Sequence, residues 1–190
     1  MNVTTLVAPA AEPLGLAEAK DYLRIANEGE DALVGGLVAA ARSRIEELAR
    51  VAMIARTLRV TLDRWPQRTM ETRVFRLPVR PAGELLAVKV YDAEASAETV
   101  TDRFTLAPGR SARLVWTSGR FPWPGARANG IEIDYTAGFG EAAEDVAEGL
   151  KLAVKRLTAH AYHSRDAGTI NGPLPEDVAG LISPWRRVML

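Results

Sequence analysis

The sequence predicts an α+β protein, and three observations lead to this prediction. Apolar residues recur at helical spacing from Asp31 onward, the middle of the chain (57–136) alternates apolar and polar residues as strands do, and helical spacing returns at Asp145. The chain has 190 residues, of which 47% are hydrophobic and 25% charged, the balance of an ordinary globular protein. A chain of this length can bury a core without disulfides or metals.

The N-terminal region is predicted to be an extended arm followed by a short helix. Residues 1–14 contain Pro9 and Pro13 and little periodicity, which indicates an extended arm (1–14). Gly15 occupies a tolerated N-cap position, so a first helix is expected over 16–26. The region lacks the basic start and long apolar run of a signal peptide.

A second, longer helix is predicted over 31–52. Its expected buried stripe consists of Leu33, Leu37, Ala41, Ile45 and Leu48. Gly35 and Gly36 lie inside this helix, where each costs roughly 1 kcal/mol relative to alanine. They indicate either a loose first turn or the close approach of a neighbouring backbone, and the sequence does not choose between the two.

The segment 57–136 is predicted to be a β-rich insert. Strands are expected around Leu58–Leu62, Val74–Leu77, Leu86–Val90, Phe104–Leu106, Arg113–Trp116 and Ile131–Tyr135. Turn pairs such as Ser118-Gly119 and Asn129-Gly130 separate them. This pattern predicts one antiparallel sheet of about five or six strands.

A third helix is predicted over 145–164, with Asp145 and Glu148 spaced as a capping box. Its expected buried residues are Val146, Leu150, Ala153, Val154, Leu157 and Ala161. Glycine and proline mark a loop after this helix, within the segment 166–190. Two helical turns are expected at 176–182, ended by Pro184.

Composition and charge exclude several kinds of function. The absence of cysteine excludes disulfides and thiolate metal sites, and 24 basic against 24 acidic residues argue against a strong phosphate-binding surface. The charges are nevertheless segregated: arginine dominates from Arg42 to Arg80 and acids dominate from Glu141 to Glu148. These runs indicate either solvated faces or complementary faces that meet between copies. No stretch is long and apolar enough to span a bilayer.

The search for catalytic or metal chemistry finds one partial motif. His160 and His163, followed by Asp166, could contribute to a zinc site, but no further ligand pattern supports it, so surface histidines are the better interpretation. The sequence has no nucleophile elbow and no phosphate-binding glycine loop, and Gly138-Phe139-Gly140 is interpreted as a turn. The expected protein is therefore not an enzyme and carries no cofactor and no metal.

The C-terminal segment has the composition of a docking peptide. Pro184-Trp185-Arg186-Arg187 supplies an aromatic anchor and two guanidinium groups, and Val188-Met189-Leu190 supplies an apolar end. Tryptophan and arginine are enriched at interface hot spots. The residues alone leave open whether the segment docks into a partner or folds back on its own domain.

The order of short motifs along the chain adds a resemblance to a known family. The motifs are 16–24 (LAEAKDYLR), 30–33 (EDAL), 57–66 (TLRVTLDRWP), 135–140 (YTAGFG), 150–165 and 184–186 (PWR). In this order they resemble the head–tail connector (adaptor) family of tailed bacteriophages. The likeness is strongest to the versions of phages and gene transfer agents in alphaproteobacteria.

The resemblance implies a helical bundle with an inserted antiparallel sheet and an extended C-terminal tail. It implies a connector domain at 15–165 and a docking segment within 166–190. Such proteins form a ring, usually dodecameric, below the portal of the particle, and they link the capsid to a stopper or tail while DNA passes through the lumen. The expected location is the virion neck, after synthesis in the bacterial cytoplasm. The alternatives are another neck or tail ring protein of the stopper type, or a small DNA-binding module.

Two sets of candidate site residues follow. The portal-docking residues are Pro184, Trp185, Arg186, Arg187, Val188, Met189 and Leu190. The subunit-interface residues are Arg42, Arg56 and Arg59 on a basic side and Glu141, Glu144 and Glu148 on an acidic side. No membrane partner is expected.

Overall fold

The computed structural model describes residues 1–107, 112–164, 170 and 172–186, and it confirms the α+β class. The described residues form five α-helices and two antiparallel sheets. They divide into two compact units. The β unit comprises Met1–Pro9 and Ala55–Gly138, and the helical unit comprises Ala10–Ile54 and the described residues from Phe139 onward.

The β unit contains eight strands and one short helix within the described residues. The strands are β1 (Asn2–Val7), β2 (Arg56–Leu62), β3 (Val74–Arg76), β4 (Ala82–Tyr91), β5 (Ala97–Thr99), β6 (Phe104–Ala107), β7 (Arg113–Trp116) and β8 (Ile131–Ala137). The third helix of the molecule, α3 (Gln67–Thr72), lies between β2 and β3.

The larger sheet has the order β1-β2-β8-β4-β5, with every neighbouring pair antiparallel. Val60 of β2 and Val88 of β4 both lie opposite Ile133 of β8, and all three are fully buried. The apolar residues that alternate with polar ones in the sequence are thus the residues that face the core in this sheet. Part of the expected N-terminal arm is an edge strand, since β1 pairs with β2 from Asn2↔Thr61 onward.

The expected single sheet is wrong: β3, β7 and β6 form a separate three-stranded sheet in that order. The physical reason is a second aromatic core. Trp65 stacks on Phe104 with ring centroids 5.4 Å apart and meets Phe75 edge-on at 6.0 Å. Its indole N–H donates to the carbonyl of Pro122 at 2.8 Å, so a buried tryptophan with a satisfied polar atom anchors the smaller sheet.

The helical unit contains α1 (Leu16–Leu23), α2 (Asp31–Ala49), α4 (Glu148–Ser164) and α5 (Glu176–Ile182). The first two helices end about three residues earlier than expected. Arg24 and Arg50 follow them with φ of 58° and 55°, the left-handed conformation that ends a helix. Arginine gives no sequence signal for this conformation, which glycine usually adopts.

The predicted buried stripe of α2 is wrong in its first half. Leu33 is 53% exposed, whereas Val34, Val38, Ala41 and Ile45 are buried. A helix has 3.6 residues per turn, so residues spaced by four at every step gradually leave one face, whereas alternating steps of four and three stay on it. The three-residue step from Val38 to Ala41 therefore keeps the buried stripe facing the core.

The α4 helix begins at Glu148, so the capping box predicted for Asp145 is wrong. Asp145 lies in a 3₁₀ turn (Ala143–Asp145), and its carboxylate accepts a hydrogen bond from the Ala142 N–H at 3.1 Å. A Cβ at Gly140 would lie 2.1 Å from this carboxylate, so the turn requires glycine there. The six predicted buried residues, Val146 to Ala161, are all confirmed.

The helices of this unit share one hydrophobic core. Its buried members include Val38 and Ile45 of α2, Leu150 and Leu157 of α4, and Ile182 of α5. None of the described helices combines the length and the hydropathy needed to cross a membrane.

Candidate docking and interface surfaces

The described part of the C-terminal segment folds onto the helical unit. Val178 and Ile182 of α5 are buried in the core, and a 3₁₀ turn (Ser183–Trp185) continues the helix. The Trp185 ring meets the ring of Phe139 edge-on, with centroids 5.3 Å apart. In the isolated chain, the Trp185 ring thus packs within its own unit.

The rest of the predicted docking segment divides into an exposed part and an undescribed part. Pro184 and Arg186 are exposed, and the Arg186 N–H donates to the carbonyls of Ile182 and Ser183 at 3.1 and 3.2 Å. The predicted docking residues Arg187, Val188, Met189 and Leu190 lie outside the described residues.

An ion-pair cluster ties α5 to α4. The Asp177 carboxylate lies 3.2 Å from both the Arg156 guanidinium and the His160 imidazole. Desolvation alone would raise the pKa of Asp177, but the Val178 N–H and the charges of His160 and Arg156 outweigh it and lower the pKa. These contacts hold the helix that precedes the docking segment.

The histidines considered for zinc do not form a metal site among the described residues. His160 faces Asp177, the ring of His163 lies against that of Tyr162 at 5.5 Å, and Asp166 lies outside the described residues. No group of three potential ligands occurs in the described ranges. His160 and His163 line a cavity of about 570 Å³ together with Tyr22, Arg156 and Asp177.

Two predicted interface arginines are engaged inside their own units. Arg42 contacts the carboxylates of Glu12 and Glu46 at 2.7 and 2.9 Å. Burial alone would lower the pKa of Arg42, but the Glu12 hydrogen bond and the Glu46 charge outweigh it and raise the pKa. Glu46 also accepts a hydrogen bond from the Met53 N–H at 2.7 Å, so this network closes the end of α2.

Arg59 forms a bidentate ion pair in the β unit. Its guanidinium makes two parallel hydrogen bonds of 2.7 Å to the Asp134 carboxylate, directly across the β2–β8 ladder. It also lies 3.1 Å from Glu132. The bond to Asp134 is the main reason that the pKa of Arg59 is raised. Arg56, half-buried on the same strand, lies opposite Ala137.

The predicted acidic side is only partly available for contacts between copies. Glu148 pairs with Lys151 at 2.5 Å. Glu141 and Glu144 are exposed and form no ion pair with any residue in the described ranges. These two exposed carboxylates are the part of the acidic side that a cation from another molecule could reach.

Sequence reasoning missed a basic cavity in the β unit. Arg68, Arg76 and Arg113 line a space of about 400 Å³ beside α3 and β3. Arg68 and Arg76 belong to the basic run seen in the sequence, but Arg113 lies far along the chain, and only the pairing of β3 with β7 brings it to them.

Comparison with known proteins gives matches among solved structures. No family model matches the chain, and no curated protein matches it. A chain from the virion of a native gene transfer agent particle is 29% identical, with a TM-score of 0.82, over 100% of this chain and 97% of that one. A chain from the neck of an empty gene transfer agent particle, computed with C6 symmetry, gives the same values.

A third solved structure, the neck of the native particle computed with C12 symmetry, is 28% identical with a TM-score of 0.81. It also covers 100% of this chain and 97% of the matched chain. The resemblance to the gene-transfer-agent type of head–tail connector, predicted from the ordered motifs, is thereby confirmed.

Proposed function

We propose that this chain, similar over its whole length to neck proteins of gene transfer agents, is a ring-forming adaptor of a particle neck. It would lie below the portal, link the capsid to the stopper or tail, and let DNA pass through the ring. The observation that carries the proposal is the full-length likeness to these neck structures at a TM-score of 0.82. The neck location predicted from the sequence agrees with it.

The number of copies in the ring is proposed to be twelve. The similar structures come from necks computed with C6 and with C12 symmetry. A ring of twelve copies satisfies both symmetries, whereas a six-membered ring does not satisfy the twelve-fold one. The two symmetries together thus support a ring of twelve copies. Ring closure requires head-to-tail association, in which two different surfaces of each copy meet.

The chain is proposed to act without catalysis, through its surfaces alone. Its two histidines are accounted for by Asp177 and by Tyr162, and the matched proteins are particle neck components. The helical unit would contribute a bundle to the ring. The near-neutral charge suits a lumen that must not retain DNA phosphates.

The C-terminal segment is proposed to engage the portal, with a division of roles along it. Trp185 packs on Phe139 and so fixes the base of the segment rather than filling a partner's pocket. The exposed Arg186 and the residues that follow, Arg187 to Leu190, would make the contact. Arginine forks suit carboxylates or backbone carbonyls of the portal.

The adaptor role is tested by removing the gene from the producing cell and imaging the particles. Heads with a portal but without attached tails are expected, and the wild-type gene should restore tails. Tailed particles of normal composition without this protein would contradict the proposal. A ring found next to the tail and away from the portal would favour the stopper-like alternative.

The DNA-binding alternative is tested with the purified full chain and a labelled DNA duplex. An adaptor should give no gel shift at physiological salt, since its surface is electrically neutral overall. A salt-sensitive shift at micromolar protein would instead support the DNA-binding module.

The docking role is tested with two truncations. Removing 187–190 keeps the Trp185–Phe139 contact, so the chain should still fold, as a thermal melt would show, while portal attachment is lost. Removing 184–190 also deletes the Trp185–Phe139 contact and should lower the unfolding free energy by about 1–3 kcal/mol. Normal incorporation of the shorter truncation into tailed particles would contradict the docking role.

A further inference from the structure

The cavity lined by Arg68, Arg76 and Arg113 contains an unusual charge arrangement. Its volume is about 400 Å³, and none of the described residues that line it is acidic. The three arginines form no ion pair with any residue in the part of the chain that the structure describes. Arg68 comes from α3, Arg76 from β3 and Arg113 from β7, so three elements converge on one concentration of positive charge.

Two of these arginines lie directly opposite each other. Arg76 and Arg113 are cross-strand partners in the β3–β7 ladder, and like charges in this position destabilise a sheet. The larger sheet of the same unit has the opposite arrangement, because Arg59 lies across from Asp134. The folded monomer therefore carries an electrostatic cost that an incoming anion would relieve.

The chain itself contains a matching anionic segment. Glu141 and Glu144 are exposed on the turn before α4. Glu148 is already paired with Lys151. With 24 acidic and 24 basic residues in total, an excess of positive charge at one surface is balanced by an excess of negative charge at another. Head-to-tail association requires two different surfaces that complement each other, and surfaces of opposite charge on one chain meet this requirement.

We propose that the acidic turn at 141–144 of one copy binds in the arginine cavity of the next copy, with its carboxylates held by the guanidinium groups. This inference rests on the proposed ring function and names the contact that closes the ring. The basic side of the proposed interface is then Arg68, Arg76 and Arg113. These residues replace the set predicted from the sequence, Arg42, Arg56 and Arg59. Bidentate arginine–carboxylate pairs supply both the attraction and the orientation.

Another copy fits this cavity better than DNA does. A DNA backbone presents a continuous row of phosphates and is held by a sustained basic stripe. Three arginines around about 400 Å³ make a local site of the size of a short peptide turn. DNA is therefore the competing occupant that the experiments must distinguish.

Cysteine cross-linking in assembled particles tests the contact directly. The chain has no cysteine, so Thr72→Cys beside the cavity and Ala142→Cys between the two glutamates add the only thiols. Both positions are exposed, and both substitutions leave all five charged residues in place. A short bismaleimide should convert the double variant into a ladder of oligomers, because each copy joins two different neighbours.

The single variants T72C and A142C are the matched controls, and neither should give a ladder. A dimer from one single variant would indicate a two-fold contact and overturn the head-to-tail arrangement. Intact rings in the neck with no ladder from the double variant would overturn this inference alone. Necks without any ring of this protein would overturn the proposed function itself.

Charge exchange provides a second, independent test. Arg76→Glu with Arg113→Glu, or Glu141→Arg with Glu144→Arg, should each lower incorporation into particles at least tenfold, and the four changes together should restore it. Arg64→Glu with Arg127→Glu makes the same charge change at exposed arginines outside the cavity and should leave incorporation normal. Thermal melts confirm that each variant folds. The cavity would be assigned to DNA by two results together. Incorporation would be lost in the arginine variant and not restored by the four changes together, and the arginine variant would no longer retain DNA in a gel shift.

Discussion

At the scale of single residues, the buried carboxylate of Glu46 makes the sharpest stability prediction. The side chain is 8% exposed, and it accepts hydrogen bonds from Arg42 and from the Met53 N–H. Glu46→Ala should lower the unfolding free energy by about 2–4 kcal/mol. The substitution removes the acceptor of the Met53 N–H and one of the two carboxylates that pair with the Arg42 guanidinium. Urea denaturation measures this change.

Glu47→Ala on the same helix is the matched control for Glu46. Glu47 is exposed and pairs with Arg44 at 3.2 Å. Surface pairs of this kind contribute about 0–1 kcal/mol, so the control should change stability by less than 1 kcal/mol. Equal effects of the two variants would show that the Glu46 network is not a source of stability.

The Asp177 cluster predicts how stability changes in acid. The pKa of Asp177 is lowered in the folded chain, so the carboxylate stabilises the fold above its unfolded pKa of about 3.9 and loses that contribution as the pH falls through its folded value. Asp177→Asn should therefore flatten the dependence of stability on pH below about pH 4. Thermal melts between neutral and acidic pH measure the difference.

Asp21→Asn is a suitable control for Asp177→Asn. Asp21 is exposed on α1 and forms no ion pair with another described residue. The control removes one exposed carboxylate and no ion pair of the described residues. If Asp177→Asn follows the wild-type curve, the contacts of Asp177 with Arg156 and His160 do not contribute to the stability of the folded state.

At the scale of elements, the structure decides between the two explanations that the sequence left open for the glycines of α2. No described atom lies within 4 Å of a Cβ built at Gly35 or Gly36, so no close approach within the described chain requires them. Gly36→Ala should stabilise the chain by about 0.5–1 kcal/mol, because alanine has the higher helix propensity and restricts the unfolded state. Urea denaturation of the two proteins side by side measures the gain, and a loss of stability would contradict it.

At the scale of the whole molecule, the ring predicts a dependence on salt. Charge pairs between copies are screened as the Debye length falls from about 10 Å at 0.1 M to about 3 Å at 1 M salt. Rings released from particles should dissociate more readily at the higher salt, as sedimentation would report. The unfolding of the monomer should change far less, since Arg42 and Arg59 are paired inside the fold. Rings indifferent to salt would contradict charge pairing between copies.

The α+β class, the existence of the main helices and most strands, and the family resemblance were predictable from the sequence. These properties depend on local patterns: apolar residues repeat every two or about 3.6 positions, and short motifs follow in a fixed order. The α4 stripe from Val146 to Ala161 was right for this reason. The stripe of α2 went wrong at Leu33 because Leu and Val candidates lay side by side, and only the packing of the core chose Val34.

The sequence by itself determined the four helices of the helical unit, most of the strands, and the resemblance to neck proteins of gene transfer agents. Only the tertiary structure decided which charged side chains form ion pairs inside the fold and which can pair with a partner. Arg59 and Arg113 look alike in the sequence, yet strand pairing places one opposite Asp134 and the other opposite Arg76. For Trp185 the sequence left open whether the ring packs on its own chain, and the structure places it on Phe139. Such pairings join residues far apart along the chain, and local spacing carries no information about them.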